Sequence, residues 1–479
     1  MIRYSFLLVL LSLVLCNGYK FLVYSPIFGY SHTKFMGTLA DALTEAGHDV
    51  TVLMPVVDIE EEHKTGLKLT KNIIKIPANP RILEFLKNRK NVLGKMWTMK
   101  PGPVGLVEIV KAMSDAFTSQ CEVVINDDEL MKRLREEKFD VGIAETFSVC
   151  GFGIFEVAKI PASMAAFSGV HMDAISGAIG EPSFPSYVPG AMSTSSDHMS
   201  IMDRFMNVLE LVLGKKFFHD IYDTEIAYFR EKFGPRFKHW QDLLAETSYV
   251  MTNSNPYLDY PRPTLHKTIF LGGITVPVNA TKSPLSEEWN DILNRRKTTV
   301  LVSFGSVSKA IYMPDEYRVN LLKLFKSMPD TTFIMKYEQE NSTMADHLPN
   351  VHLSTWFPQN TLWVSRPFKI PHKSDSRVTA FITHGGLGSI TELAYAGKPA
   401  VLIPLFGDQS RNGLMLARHG GAIVLSKHDL LDPAKLKHSL EEIFTDDSAF
   451  QQRSYKITVT HTYNHQNYNI MTRIIHPES

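Results

Sequence analysis

Cysteine is scarce in this 479-residue chain, which holds three, Cys16, Cys121 and Cys150. That excludes a dense disulfide scaffold and a four-thiolate zinc site. Charge of one sign is also lacking: 50 Lys and Arg balance 50 Asp and Glu. A dedicated nucleic-acid binder would show a basic excess. Glycine (28) and proline (26) are at ordinary levels, against a collagen-like or low-complexity chain. Past the N-terminus no apolar run approaches the ~18–20 residues of a membrane span. No repeat of solenoid period is visible. Neither an Asp-x-Asp pair nor a clustered His and Cys spacing suggests a metal centre. What is present is 44% hydrophobic residues, with 10% aromatics. That suffices for large cores in two or three domains of ~150 residues each.

Arg3 precedes an apolar run, Phe6 to Cys16, closed by Asn17-Gly18. A short apolar stretch after a positive residue reads as a secretory signal over residues 1–18, the alternative being a buried strand. Removal of the signal takes Cys16 with it and leaves Cys121 and Cys150, whose pairing the sequence leaves open. Two N-glycosylation sequons, at Asn279 and Asn341, fit a lumenal or extracellular chain.

The body alternates between two periods. Lys20–Ser25 is a β-rich run, Thr33–Ala46 has helical spacing, and Val50–Met54 is again β-rich. Strand, helix, strand in about 35 residues is a βαβ unit and implies a parallel sheet. Residues 101–138 read as helical, with a solvated charged face at 132–138. Val141–Ala144, Tyr249–Thr252 and Ile269–Leu271 read as strands, whereas 165–235 shows no clear period. A turn-rich segment, 272–284, reads as a linker. Beyond it come strands at 300–304, 332–335, 380–383, 400–403 and 422–425, with helices at 314–327, 389–396 and 408–418. Two successive α/β sheets facing a cleft account for this order.

The most informative stretch runs Phe381-Ile-Thr-His384-Gly385-Gly386-Leu-Gly388-Ser389-Ile-Thr-Glu392 and on through Gly397-Lys-Pro399 to Asp408-Gln409. An apolar strand ends in His-Gly-Gly and a helix begins at once. Glycine lets backbone approach a ligand closely, and the free N–H groups of a helix start suit a phosphate. His384 could add a donor.

This stretch resembles the signature of the UDP-glycosyltransferase family, most closely its animal UDP-glucuronosyltransferase branch. The likeness covers nearly all of the chain from Phe21 to about Lys456, including Ser303-Phe-Gly-Ser306 and Trp356-Phe-Pro-Gln359. It implies a GT-B fold of two Rossmann-like parallel-sheet domains facing a cleft. An acceptor-binding domain would span 19–280 and a UDP-sugar-binding domain 281–456. It also implies inverting transfer of glucuronic acid or glucose from a UDP-sugar to a hydroxyl of a small lipophilic acceptor, as in detoxification. No metal and no cofactor beyond the UDP-sugar are expected.

Residue by residue, the resemblance makes Trp356 the platform for uracil, with Gln359 beside it and Glu392 on the ribose hydroxyls. Ser306, His384, Gly385, Gly386, Gly388 and Ser389 fall at the diphosphate, and Asp408 and Gln409 at the sugar hydroxyls. His32 matches the catalytic base, and Glu145 falls where the family carries an Asp that orients it. Each has a plainer reading: a core aromatic for Trp356, helix-end roles for His32, Glu392, Asp408 and Gln409, a turn former for Ser306. Arg262 is a candidate partner for a uronate carboxylate.

The chain departs from the family at several points. Glu145 is one methylene longer than Asp, and many vertebrate relatives place Asn where Gly388 stands. Trp363 to about Ser374 reads as an insert. Residues 457–479 form a polar tail where relatives continue with a helix returning to the first domain, a membrane anchor and a basic tail. From this the sequence predicts a weakened hinge and an unanchored protein of the endoplasmic reticulum lumen or secreted, free of nucleic acid. Homo- and hetero-oligomers stay open. A second functional reading is a catalytically impaired relative that binds nucleotide or acceptor and regulates full-length partners.

Overall fold

Among the described residues thirteen strands, every pair of them parallel, divide into two sheets. The structure is a computed structural model describing residues 18–82, 89–99, 107–276, 285–363 and 375–445. Residues 1–17 of the signal segment, Asn279, residues 364–374 of the insert and the 457–479 tail lie outside the described residues.

The first sheet contains β1 (Lys20–Tyr24), β2 (Asp49–Pro55), β3 (Asn72–Ile76), β4 (Val141–Glu145), β5 (Ala162–Phe167), β6 (Tyr249–Thr252) and β7 (Thr268–Phe270), in the order β3-β2-β1-β4-β5-β6-β7. The second contains β8 (Thr298–Ser303), β9 (Thr331–Lys336), β10 (Val351–Ser354), β11 (Val378–Thr383), β12 (Ala400–Leu402) and β13 (Ala422–Val424), in the order β10-β9-β8-β11-β12-β13. The inner strands are mostly runs of β-branched and apolar residues because both their faces are covered, while the edge strands β3 and β10 are partly exposed. In each sheet the order reverses beside the first strand, between β1 and β4 and between β8 and β11. Crevices open at such switch points beyond the strands' carboxyl ends.

The helices that bear on the site are α1 (Tyr30–Glu45), α2 (Arg89–Thr98), α3 (Val107–Asn126), α4 (Asp128–Glu136), α5 (Cys150–Ala158), α6 (Ile201–Phe233), α7 (Leu387–Ala396) and α8 (Gln409–Ala417). The helical stretch expected over 101–138 is two helices within its described part. Asp127 interrupts it, its carboxylate accepting from the N–H of Leu130 to cap α4. The charged end of α4 is solvated as predicted, with Lys132–Glu136 and Arg133–Glu137 pairs.

The stretch without a period, 165–235, contains the 33-residue α6, opened by a Ser200–Asp203 capping box. The first part of α6 turns Asn207 and Glu210 inward, where they hold the backbone of Gly190 and Thr194. Phe205 stands 63% exposed on the outside. Cys121 of α3 is bonded to Cys150 at the start of α5, with Cα atoms 5.8 Å apart. Asn341 is exposed on a left-handed turn residue (φ 53°), a conformation Asn tolerates.

The two halves share buried surface. Trp97 of α2, 0% exposed, lodges in the core of the second half, 4.9 Å from Phe304. Arg411 of α8 is fully buried and pairs with Asp259 at 2.5 Å, while its Nε donates to the carbonyl of Pro189. Lys427 donates to the carbonyls of Met96 and Leu405, both at 2.8 Å. Among the described residues, Trp97, Arg411 and Lys427 carry this junction between the halves.

Candidate functional site

A cleft of about 1630 Å³ lies between the halves, lined from both. From the first half, β1 leads through Phe28 and Gly29 into α1. Gly29 precedes the helix in extended conformation and lends no side-chain cap, while its carbonyl accepts from the N–H groups of His32 and Thr33. His32 lies in that turn, ring against Phe28 at 4.3 Å and Phe147 at 5.9 Å. Its Nδ1 meets Glu145 Oε1 at 2.5 Å. Glu145 ends β4, the strand paired with β1, and is 1% exposed behind the histidine. The hydroxyl of Ser168, just past β5, donates to the same Glu145 oxygen at 2.7 Å and also touches His32 Nδ1.

From the second half, Ser306 follows β8 and lines the cleft, as do His384, Gly386, Gly388 and Ser389 at the passage from β11 into α7. Gly385 underlies that wall with φ +84°, and a Cβ there would stand 3.0 Å from the carbonyl of Gln409. Only glycine fits without strain. A Cβ on Gly388 would meet nothing within 4 Å. His384 is wedged between Gly305 and Gly386, where a Cβ would come within 2.6 and 2.7 Å of its Nε2. Burial, then the charge of Lys336, pushes the imidazole down to about 4, although a bond to the Ser303 carbonyl works the other way. His384 is therefore a neutral group at physiological pH.

Trp356 is 52% exposed, with Tyr30 edge-on at 5.9 Å and the ammonium groups of Lys336 and Lys64 at 5.3 and 5.6 Å from its ring. Gln359 donates to Glu392 Oε2 at 2.5 Å and to Ser389 Oγ at 3.3 Å. With its amide turned to suit both neighbours, Asn360 donates to Glu392 Oε1 at 2.8 Å and accepts from Lys34 at 3.2 Å. Glu392 thus gathers side chains from both halves.

Asp408 precedes α8 without capping it; its carboxylate accepts from Asn412 Nδ2 at 2.7 Å. Burial pushes this carboxyl up, while the Asn412 bond and the nearby His32 pull against the rise. Gln409 Oε1 accepts from the N–H groups of Leu405 and Phe406 and so pins the loop before α8.

Every predicted site residue except Glu145, Gly385 and Arg262 lines one cleft; Glu145 stands behind His32 and Gly385 beneath the β11–α7 turn. Arg262 does not join them. Its guanidinium is buried and faces Asp173 Oδ1 at 3.3 Å, so the uronate contact expected of it is not available in this arrangement. Sequence reasoning missed Ser168, Lys336 and Lys34. Lys336 ends β9 and donates to the Gly305 carbonyl at 2.8 Å; a lysine at the carboxyl end of a parallel strand was the available signal. Among the described residues no three His, Cys, Asp or Glu side chains gather as a metal site.

The chain matches the family described as UDP-glucoronosyl and UDP-glucosyl transferase over residues 20–463 and belongs to it. It is 28% identical to a putative UDP-glucuronosyltransferase of Caenorhabditis elegans over 422 residues, 87% of this chain and 78% of that one. It is likewise 28% identical to the 2-hydroxyacylsphingosine 1-beta-galactosyltransferase of Rattus norvegicus over 464 residues, 95% and 79% of the two chains. Among solved structures, a Phytolacca americana glycosyltransferase complexed with UDP-2fluoro-glucose and pterostilbene superposes with a TM-score of 0.60 at 13% identity, covering 96% of this chain and 99% of that one. The glycotransferase of kitacinnamycin gives 0.59 at 16%, covering 93% and 96%. These likenesses show the two-domain GT-B fold. The protein is a UDP-glycosyltransferase, an enzyme that transfers sugar from a UDP-sugar.

Proposed function

We propose that the chain moves glucuronic acid or glucose from its UDP carrier to a hydroxyl of a small lipophilic acceptor, inverting the anomeric centre without a metal, as in detoxification. The observation that carries this reading is the His32–Glu145 contact at 2.5 Å, facing the His-Gly-Gly turn of the second half across one cleft. With Nδ1–H directed at Glu145, the lone pair on Nε2 can take the acceptor's proton as its oxygen attacks the anomeric carbon. Glu145 then stabilises the imidazolium, as the carboxylate of a triad does. UDP departs from the opposite side of the sugar.

Trp356 offers an aromatic face to the base, and Glu392 with Gln359 reaches the ribose. The N–H groups at the start of α7, Ser306 and Lys336 meet the diphosphate, preorganised donors for a developing negative charge. Asp408 and the Nε2 end of Gln409 hold the sugar hydroxyls, and His384, neutral and still carrying one N–H, adds a donor at the diphosphate. Phe28, Phe117, Met113 and Phe217 line the cleft on the acceptor side and suit an apolar molecule. The rat relative, named for an acylsphingosine, supports a lipophilic acceptor. The Cys121–Cys150 bond supports a secretory compartment, since disulfides persist where the milieu is oxidising.

The test is turnover of UDP-sugars with phenolic acceptors. Wild type is expected to transfer, and His32→Ala to lose ~10²-fold or more. Equal residual rates in both would support the binding-protein reading instead.

A further inference from the structure

We propose that Ser168 is a positioning residue that adapts the long Glu145 side chain to its task and selects the His32 tautomer that can act as a base; this rests on His32 being the base. In the parallel register Glu145 stands opposite Ala166, and Ser168, two residues on, projects from the same face of the sheet. Three groups converge on a single oxygen, Glu145 Oε1: His32 Nδ1 at 2.5 Å, Ser168 Oγ at 2.7 Å and the Ser168 N–H at 3.4 Å. Glu145 Oε2 is buried with no hydrogen-bond partner, so the orientation of the carboxylate comes through Oε1 alone.

Ser168 is itself held. Asn253, at the turn after β6, donates its Nδ2 to the Ser168 carbonyl at 3.0 Å, and its N–H meets the carbonyls of Phe167 and Gly169. The serine hydroxyl has one proton and two candidate acceptors, Glu145 Oε1 and His32 Nδ1. A carboxylate is the stronger acceptor, so the proton goes to Glu145. The serine oxygen is left as an acceptor beside Nδ1, which favours a proton there and frees Nε2. Were the hydroxyl to donate to Nδ1 instead, Nε2 would carry the proton and the base would be lost.

Ser168→Ala is expected to lower kcat ~10-fold while the KM values for donor and acceptor stay within about 2-fold, and Ser168→Thr to restore kcat. In Glu145→Gln the same serine change should cost less than about 2-fold, because its target has gone. Nitrogen-15 shifts of the His32 ring, assigned by subtraction with His32→Gln, read the tautomer with neither substrate present. They are expected to show Nδ1–H in wild type and a mixed population in Ser168→Ala. If Ser168→Ala does not fold, Ser168→Cys, of similar shape and a weaker donor, takes its place in each measurement. An unchanged tautomer together with unchanged kcat overturns the proposal, as does an effect wholly additive with Glu145→Gln. A wild type that transfers nothing would count against the enzymatic reading instead, and the ring shifts would still decide the role of Ser168.

Discussion

Trp356, Gly385 of the β11–α7 turn and Gly388 in the first turn of α7 bring the account to single residues. Trp356→Ala removes a stacking face worth about 1–3 kcal/mol, so UDP should bind ~5–150-fold more weakly with the melting temperature nearly unchanged; equal affinity would remove the ring from the site. Gly388→Asn should fold normally, since the space beyond its Cα is open. Gly385→Ala should destabilise, because its φ of +84° suits glycine; thermal melts of the two variants settle the contrast. Glu225, buried in α6, accepts from Ser148 Oγ and the N–H of Val149, both at 2.7 Å. Burial pushes its carboxyl up to about 8, although those bonds and one from the Cys150 N–H oppose the rise. A free Glu titrates near 4.3, so between there and about pH 8 the folded chain keeps a proton that the unfolded chain has released. Stability from this group is full below that window and falls as pH rises through it. Urea midpoints should therefore fall between pH 5 and 8, and less steeply in Glu225→Gln; parallel slopes would contradict the assignment.

At the scale of elements, the strands covered on both faces were legible in the sequence as apolar runs, whereas β3 and β10, half-exposed at the sheet edges, and the alanine-rich β5 were missed. The His-Gly-Gly turn was legible because its glycines answer to backbone geometry and close approach. Helix α6 was not. Its first half turns Asn207 and Glu210 toward the protein and Phe205 toward solvent, so the apolar period that marks a surface helix is scrambled. Ser168 escaped notice for a related reason: its contacts are with Glu145 on the neighbouring strand β4 and with His32, and nothing in its own surroundings in sequence marks it. The α3–α5 disulfide closes a loop with a sequence separation of 29. Replacing both cysteines by serine should cost about 2–4 kcal/mol. Reducing agent should lower the wild-type melt and leave the double variant unmoved; a wild type indifferent to reduction would show the bond to be of no consequence.

Across the whole molecule, the proposed mechanism requires the base of one half to meet the donor held by the other, and buried contacts join the two halves. Burial alone would raise the carboxyl of Asp259, yet Arg411 and Arg262 hold it below the usual carboxylate range. Removing Arg411 strips that buried charge of its contacting ion pair and leaves only the more distant Arg262 to balance it, a loss of up to about 3–5 kcal/mol. Arg411→Met should therefore lower the denaturation midpoint and loosen the two halves, seen as faster proteolysis between them; a wild-type midpoint would dismiss the pair as a clamp. The central claim is that uridine nucleotide occupies the cleft, gripped by the second half. Isothermal calorimetry of UDP into the folded wild type tests it directly. The account predicts saturable heat with one site per chain, weakened in Trp356→Ala and retained in His32→Ala, whereas no heat at millimolar UDP would contradict it.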